Sequence, residues 1–254
     1  MPRRCLFCEN TADSREHLWP AWIHDRIKIE ESIRIAIGKL PVQKSDNAEI
    51  KIKCVCKTCN SGWMSQLENQ CLPLVGSLAQ DLSISLDSSQ QSLLATWALK
   101  MAMVTDSTNK KTRDLFYEKE ERDRMRSDQA IPERAKVWIG RASKNSFAAI
   151  GTDVWIDMPN IRKVAKGSVS TIVVGRLVIQ VLTIHVLHDH LTSDAAIAAV
   201  QPKPGRWNDS LLSVWPVGSS SISWPPKLTF DTATGGPVSI ASLVDRWRIG
   251  KNVS

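Results

Sequence analysis

The chain is expected to be an α+β protein, and three observations carry that expectation. A strong helical period runs through Ser92–Thr105, the pattern changes to short β-rich segments from Lys136 onward, and two Cys-x-x-Cys pairs bracket the first sixty residues. Together they divide the chain into a small cysteine-tied module at residues 1–80, a helical connector at 81–135 and a β-rich, antiparallel-sheet region at 136–254.

In the first region Ile27–Ile37 and Glu49–Cys54 alternate in the manner of short strands, and Asn60–Cys71 reads as the helix of a ββα unit that Pro73 brings to an end. Asp87–Gln91 is a polar connector. In the helix that follows, Leu93, Leu94, Trp97, Lys100, Met101 and Val104 recur at helical spacing, while Ala95, Ala98 and Ala102 permit close approach; this is a core stripe. Asn109–Asp128 alternates charge densely and reads as a solvated helix, with arginines at 113, 122, 124 and 126 able to follow a phosphate backbone. The strand segments are Val137–Arg141, Ser146–Ile150, Thr152–Ile156, Thr171–Val174 and Leu177–Leu187, with Gly175-Arg176 as a two-residue hairpin turn between the last two. Trp215-Pro216 and Trp224-Pro225-Pro226 read as loop anchors whose indoles pack inward.

Four thiolates in two such pairs, Cys5-x-x-Cys8 and Cys56-x-x-Cys59, can surround one tetrahedral Zn²⁺ at roughly 2.3 Å per bond. A closed four-thiolate site leaves no position for substrate, so this zinc is structural. Cys54 is an alternative ligand to Cys56, which reproduces the spacing of the first pair; Cys71 is left over. Between the pairs lies Glu16-His17. On its own such a dipeptide is a capping or surface pair, but here it sits beside a zinc staple. Glu16 offers a hard oxygen ligand suited to Mg²⁺ or Mn²⁺, Asn60 adds an amide oxygen directly after the last cysteine, and His17 can take a proton from water near neutral pH. In outline this is a one-metal phosphodiester hydrolysis centre, with Glu16 and Asn60 touching only the catalytic ion. His185, His188 and His190 do not make a second metal site, because on a strand His185 and His188 point to opposite faces.

The run Cys5-x-x-Cys8, Glu16-His17-Leu18-Trp19-Pro20, Val55-Cys56-Lys57-Thr58-Cys59-Asn60-Ser61-Gly62-Trp63 and Leu67-Glu68 resembles the HNH endonucleases, in the bacterial branch whose ββα-metal fold is stapled by a four-cysteine zinc site. The resemblance covers about residues 5–75. It implies a metal-dependent endonuclease acting on DNA, with RNA an alternative substrate, in which Glu16 is a metal ligand, His17 the general base and Asn60 the second metal ligand. It also implies an Asn bracing the loop that presents the His, for which Asn47 is the candidate. About forty residues separate His17 from the last pair, which implies an inserted loop. Glu68 lies eight residues along the helix from Asn60, about 12 Å of rise, and so braces the site and does not touch the ion. Proteins of this kind are similar to host-defence or mobile-element nucleases, and some are gated by a regulatory partner protein. The competing expectation is a noncatalytic zinc-ribbon module that binds nucleic acid or protein.

At 254 residues, with formal charge +7 and pI ≈ 9.2, the chain favours polyanionic partners. Residues 1–87 hold 11 basic against 11 acidic side chains, so the excess, and with it much of the phosphate grip, is expected in residues 88–254. Polar sequence follows Met1-Pro-Arg-Arg, and four of six cysteines lie in metal-type pairs; both point to a reducing cytoplasm. The longest apolar stretch, Ser168–Leu187, carries Gly175, Arg176, Gln180 and His185 and is no membrane span. No phosphate-cradling Gly-rich loop is present, so nucleotide hydrolysis has no support.

Overall fold

A computed structural model describes residues 3–24, 26–28, 33–37, 43–45, 50–108, 115–158, 161–187, 210–218 and 220–230. The chain opens on a tight turn in which Arg4 pairs with Thr11 and the Cys5 N–H donates to the Asn10 carbonyl at 2.7 Å. Strand β1 (Ser14–His17) follows, then the single turn α1 (Ala21–His24), β2 (Ile33–Ile37), β3 (Gln43–Ser45) and β4 (Lys51–Val55). Strands β1 and β4 form a two-stranded antiparallel ribbon. Helix α2 (Lys57–Cys59) leads through a π-type turn at Asn60–Met64 into α3 (Ser65–Ala79), and Gly62 (φ −94°, ψ −114°) supplies the non-helical kink between them. Pro73 does not end α3; it sits inside it. The carbonyl it leaves without a donor is that of Asn69, an exposed residue, so the helix continues to Ala79.

After β5 (Ile84–Leu86) comes α4 (Ser88–Asp106). The expected connector at Asp87–Gln91 is instead the helix start. Asp87 accepts from the Gln90 N–H at 2.8 Å while the Gln90 side chain accepts from the Asp87 N–H at 3.0 Å, a reciprocal capping box. Every residue from Leu94 to Thr105 is buried, so α4 is covered all round and the apolar stripe is only one side of it. Helix α5 (Lys119–Asp128) is the solvated one, with Met125 its buried residue. Its Arg122 is committed within the fold: the guanidinium donates to the Leu6 carbonyl at 2.5 Å and tethers the N-terminal turn.

The main sheet is built on two long strands, β6 (Ala135–Met158) and β7 (Ile161–Val186), paired antiparallel. The opposite edge of β6 is taken in succession by β8 (Leu211–Trp215, antiparallel), β10 (Thr229–Phe230, parallel) and β2 (parallel, Arg34 opposite Ala148). β9 (Ile222–Trp224) pairs with β5. The sheet is therefore antiparallel at its centre, with two parallel additions, one of them contributed by the N-terminal region. Its two faces bury separate apolar clusters. One, containing Val174, Leu177, Ile179 and Val181, is continuous with α3, α4 and the cysteine module; the other is built on Val169, Val173, Val178, Leu182 and Phe230.

Gly175-Arg176 is not a hairpin turn. β7 runs straight through it, and the irregularity lies in β6, where the pairing passes from Arg141–Leu177 to Ser146–Gly175. This is a bulge. Gly175 takes φ +59° there, and the Arg176 guanidinium is bound to the carbonyls of Ala142 and Ser143 in the bulged segment. The end of α3 docks at the same place, with Asp81 ion-paired to Arg141 and 4.0 Å from Arg176. Among the described residues no helix is long and apolar enough to cross a membrane.

A Cβ at Gly175 would lie 2.6 Å from the Ala79 carbonyl oxygen on a left-handed backbone. Gly175→Ala should therefore cost about 1–3 kcal/mol in chemical denaturation. Gly218→Ala, where an added Cβ meets nothing within 4 Å, should change stability by about 0.5 kcal/mol or less.

Candidate functional site

The two Cys-x-x-Cys pairs meet. Cys5 and Cys8 are presented by the N-terminal turn, which the Leu6 N–H anchors to the Cys54 carbonyl at 2.8 Å. Cys56 caps α2, its sulfur accepting from the Cys59 N–H at 3.4 Å. The four Sγ atoms lie within 4.8 Å of one another, with Cys8 to Cys56 at 3.5 Å and Cys8 to Cys59 at 3.6 Å. Sulfurs tetrahedral about one ion at about 2.3 Å sit about 3.8 Å apart, so the cluster fits a metal such as zinc. Asn10 Nδ2 reaches Cys56 Sγ at 3.8 Å, an outer hydrogen bond of the sort that orients a thiolate ligand. Burial raises the Cys56 thiol, but the Cys59 N–H and the neighbouring sulfurs outweigh it and bring the group down to about 7. Cys54 and Cys71 stand outside the cluster. Burial pushes their thiols up to about 11 and about 12, so they behave as inert apolar groups. The choice of Cys56 over Cys54 is thus the one the geometry makes.

Asn60, directly after the cluster, points back at β1: its Nδ2 donates to Ser14 Oγ at 2.9 Å and to the Arg15 carbonyl at 3.2 Å. The staple therefore fixes the strand that carries Glu16 and His17. Those two residues face opposite ways. Strand alternation turns Glu16 inward, 4% exposed, and His17 outward, half-buried and directly opposite Lys51 on β4. Asn47 lies outside the described residues.

Glu16 has a partner that its sequence neighbourhood does not reveal. Lys100 of α4, whose side chain is wholly buried, places Nζ 2.9 Å from Glu16 Oε1 and 2.7 Å from Glu68 Oε1. Burial opposes the ammonium charge, but the two carboxylates outweigh it and hold Lys100 above its ordinary value. Burial also raises Glu16, against the pull of Lys100. Glu16 does not stand facing an ion alone, as the expectation had it; it joins β1 to α3 and α4 through Lys100. Glu68 reaches the same ammonium from α3, and the kink at Gly62 means that the rise of one straight helix does not measure its separation from Asn60. The signal was present in the sequence as a lysine at a core position of the α4 period, because such a charge must find a carboxylate.

His185, on β7, pairs through Nε2 with the Glu121 carboxylate at 3.0 and 3.1 Å and stacks on Phe116, whose ring centroid is 4.3 Å away. This ties α5 to the sheet; His188 and His190 lie outside the described residues. Trp224 is buried in the main core.

No protein-family profile matches the chain, and no curated protein and no solved structure is significantly similar to it.

Two outcomes are expected from this geometry. Cys8→Ser or Cys59→Ser should lose bound zinc and folding stability together, measured by metal analysis and thermal unfolding, since metal binding at such a site is folding free energy. Lys100→Met should leave the buried Glu16 and half-buried Glu68 carboxylates without their cation and cost about 3–5 kcal/mol in denaturant unfolding, of which adding Glu16→Gln and Glu68→Gln should recover a part.

Proposed function

We propose that the chain is a phosphodiester hydrolase of nucleic acid, an HNH-type endonuclease acting on DNA, whose catalytic strand is β1. The observation that carries this reading is the Asn60 side chain: the residue immediately following the four-cysteine cluster is hydrogen-bonded to the backbone and side chain of the strand bearing Glu16-His17. The order β1, β4, α3 around the cluster is that of a ββα unit, which supports the same reading.

In this reading His17, on the outer face of β1, accepts the proton of the attacking water, the general-base part that an imidazole most often plays. The residues that would hold a Mg²⁺ or Mn²⁺ ion in this reading are Asn60 and Glu16. When bound it supplies electrostatic stabilisation of the charge developing on the phosphate. Asn60 positions β1, and the zinc staple and the Lys100 triad hold that strand from two sides.

One observation favours a second reading, a noncatalytic zinc module that binds nucleic acid or protein: the Glu16 carboxylate is buried and already neutralised by Lys100. The two readings separate on His17. Purified protein with Mg²⁺ or Mn²⁺ should cleave plasmid DNA, and His17→Ala should lower the rate by about 10²-fold or more while zinc content and thermal stability stay unchanged. Equal cleavage by both proteins, with contaminating nuclease excluded, would leave the binding module as the better reading.

A further inference from the structure

We infer that Cys8 is an oxidative modification site: a hydroperoxide oxidises its sulfur, which then closes a disulfide onto the second cysteine pair and releases the metal. This goes beyond the nuclease reading and does not use it; it rests on the four-cysteine cluster holding zinc.

The four cysteines of the cluster differ in access. Cys5, Cys56 and Cys59 are buried, whereas Cys8 is partly exposed. Coordination keeps all four sulfurs as thiolates, the nucleophilic form, so access to solvent and not the acidity of the free thiol decides which one meets an oxidant first. Cys8 also has the other pair within reach: Cys56 Sγ is 3.5 Å away and Cys59 Sγ 3.6 Å. Cys54 and Cys71 do not compete, being 1% and 0% exposed and outside the cluster.

The segments that carry these sulfurs are fastened by contacts other than the metal. On the side of Cys8, Arg3 donates to the Ser107 carbonyl at 2.6 Å, the Leu6 N–H donates to Cys54, and Arg122 holds the Leu6 carbonyl. On the side of Cys56 and Cys59, Asp13 accepts the Lys57 N–H at 2.8 Å and Asn60 is bonded to Ser14 and Arg15. The two pairs therefore stay close when coordination is lost, and oxidation ends in a crosslink, not in an unfolded chain.

With hydrogen peroxide, the Cys8 thiolate attacks one oxygen and the O–O bond breaks; the departing hydroxide takes up a proton to become water, leaving Cys8 as the sulfenic acid. The thiolate of Cys56 or Cys59 then attacks that sulfur. An S–S bond forms, the S–O bond breaks, and the second oxygen leaves as hydroxide, which also takes up a proton. Two thiolates are thus oxidised and the peroxide is reduced to two waters. Too few sulfurs then remain for a tetrahedral ion, so zinc is released. A dithiol reverses the change by exchange through a mixed disulfide, which regenerates the four ligands.

The test exposes the purified, zinc-loaded chain to millimolar hydrogen peroxide and follows released zinc with a chromogenic chelator, against a peroxide-free blank. One zinc per chain should appear, and four of the six cysteines should remain open to alkylation in denaturant. Mass spectrometry of unreduced peptides should find Cys8 joined to Cys56 or Cys59, and dithiothreitol with added zinc should restore both thiols and metal. Cys8→His keeps a fourth zinc ligand but removes the oxidisable sulfur from the exposed position, and should slow release on the order of tenfold. Cys54→Ala/Cys71→Ala, outside the cluster, should release zinc at the unaltered rate. If Cys8→His fails to hold zinc, the disulfide map of the unsubstituted chain decides. Retention of zinc with all six thiols, a disulfide that leaves Cys8 out, unslowed release from zinc-loaded Cys8→His, or a loss that dithiothreitol does not reverse would each overturn the inference. A folded chain free of zinc would overturn the metal reading of the cluster along with it, whereas zinc that survives peroxide overturns this inference alone.

Discussion

The arrangement of this protein depends on a charge that the helix α4 carries into its core. An ammonium as deeply buried as that of Lys100 is tolerable only if carboxylates meet it, and the two that do come from different elements, Glu16 from β1 and Glu68 from α3. The requirement acts as a constraint on geometry. It fixes how far β1 and α3 stand from α4, and because the β1–β4 ribbon carries the last cysteine pair on its continuation, it places the four-cysteine cluster as well. Apolar packing supplies the bulk of the burial, but it is not directional; the triad is what selects one mutual placement of these three elements.

A comparable junction operates at the other end of α3. The β6 bulge leaves the carbonyls of Ala142 and Ser143 facing away from the ladder, and Arg176 satisfies them. Asp81, just past the helix end at φ 65°, neutralises Arg141 and lies near Arg176. Gly175 removes the Cβ that would keep the helix end off the strand. One helix is thus anchored by its Glu68 to the buried lysine and by its C-terminal residues to the sheet, which is how the cysteine module and the long β-ribbon come to share a core.

The inward turn of Glu16 has a consequence for electrostatics. Along the sequence, acids and bases in the first third of the chain cancel, and composition gives no reason to expect a basic surface there. Once β1 pairs with β4 in the observed register, the period of two sends the carboxylate to the core and the cations to solvent. A shift by one residue would reverse both, exposing Glu16 and burying Arg15. β4 carries one extra residue between Ile52 and Val55, so Cys54 and Val55 are both buried, and the pairing of Glu16 with Ile52 beyond that bulge decides which side chains of the ribbon face solvent.

The sequence by itself determined the four-cysteine cluster, the central helix and the class of fold. Two x₂-spaced cysteine pairs have one economical use, and a helical period of apolar residues has one economical placement; both are local patterns that chemistry reads directly. It also singled out Glu16, His17 and Asn60, but not what each one touches. Pro73 resembles a helix end because the cost of its missing N–H depends on whether the deprived carbonyl is exposed, which no local pattern states. Gly175-Arg176 resembles a hairpin because a left-handed glycine serves a turn and a bulge equally well, and only the pairing partner distinguishes them. The Lys100 triad joins residues 84 and 32 positions apart in the chain. That pairing was decided by tertiary structure alone, because the free energy that selects a partner for a buried charge exists only after the surrounding apolar groups have removed the water.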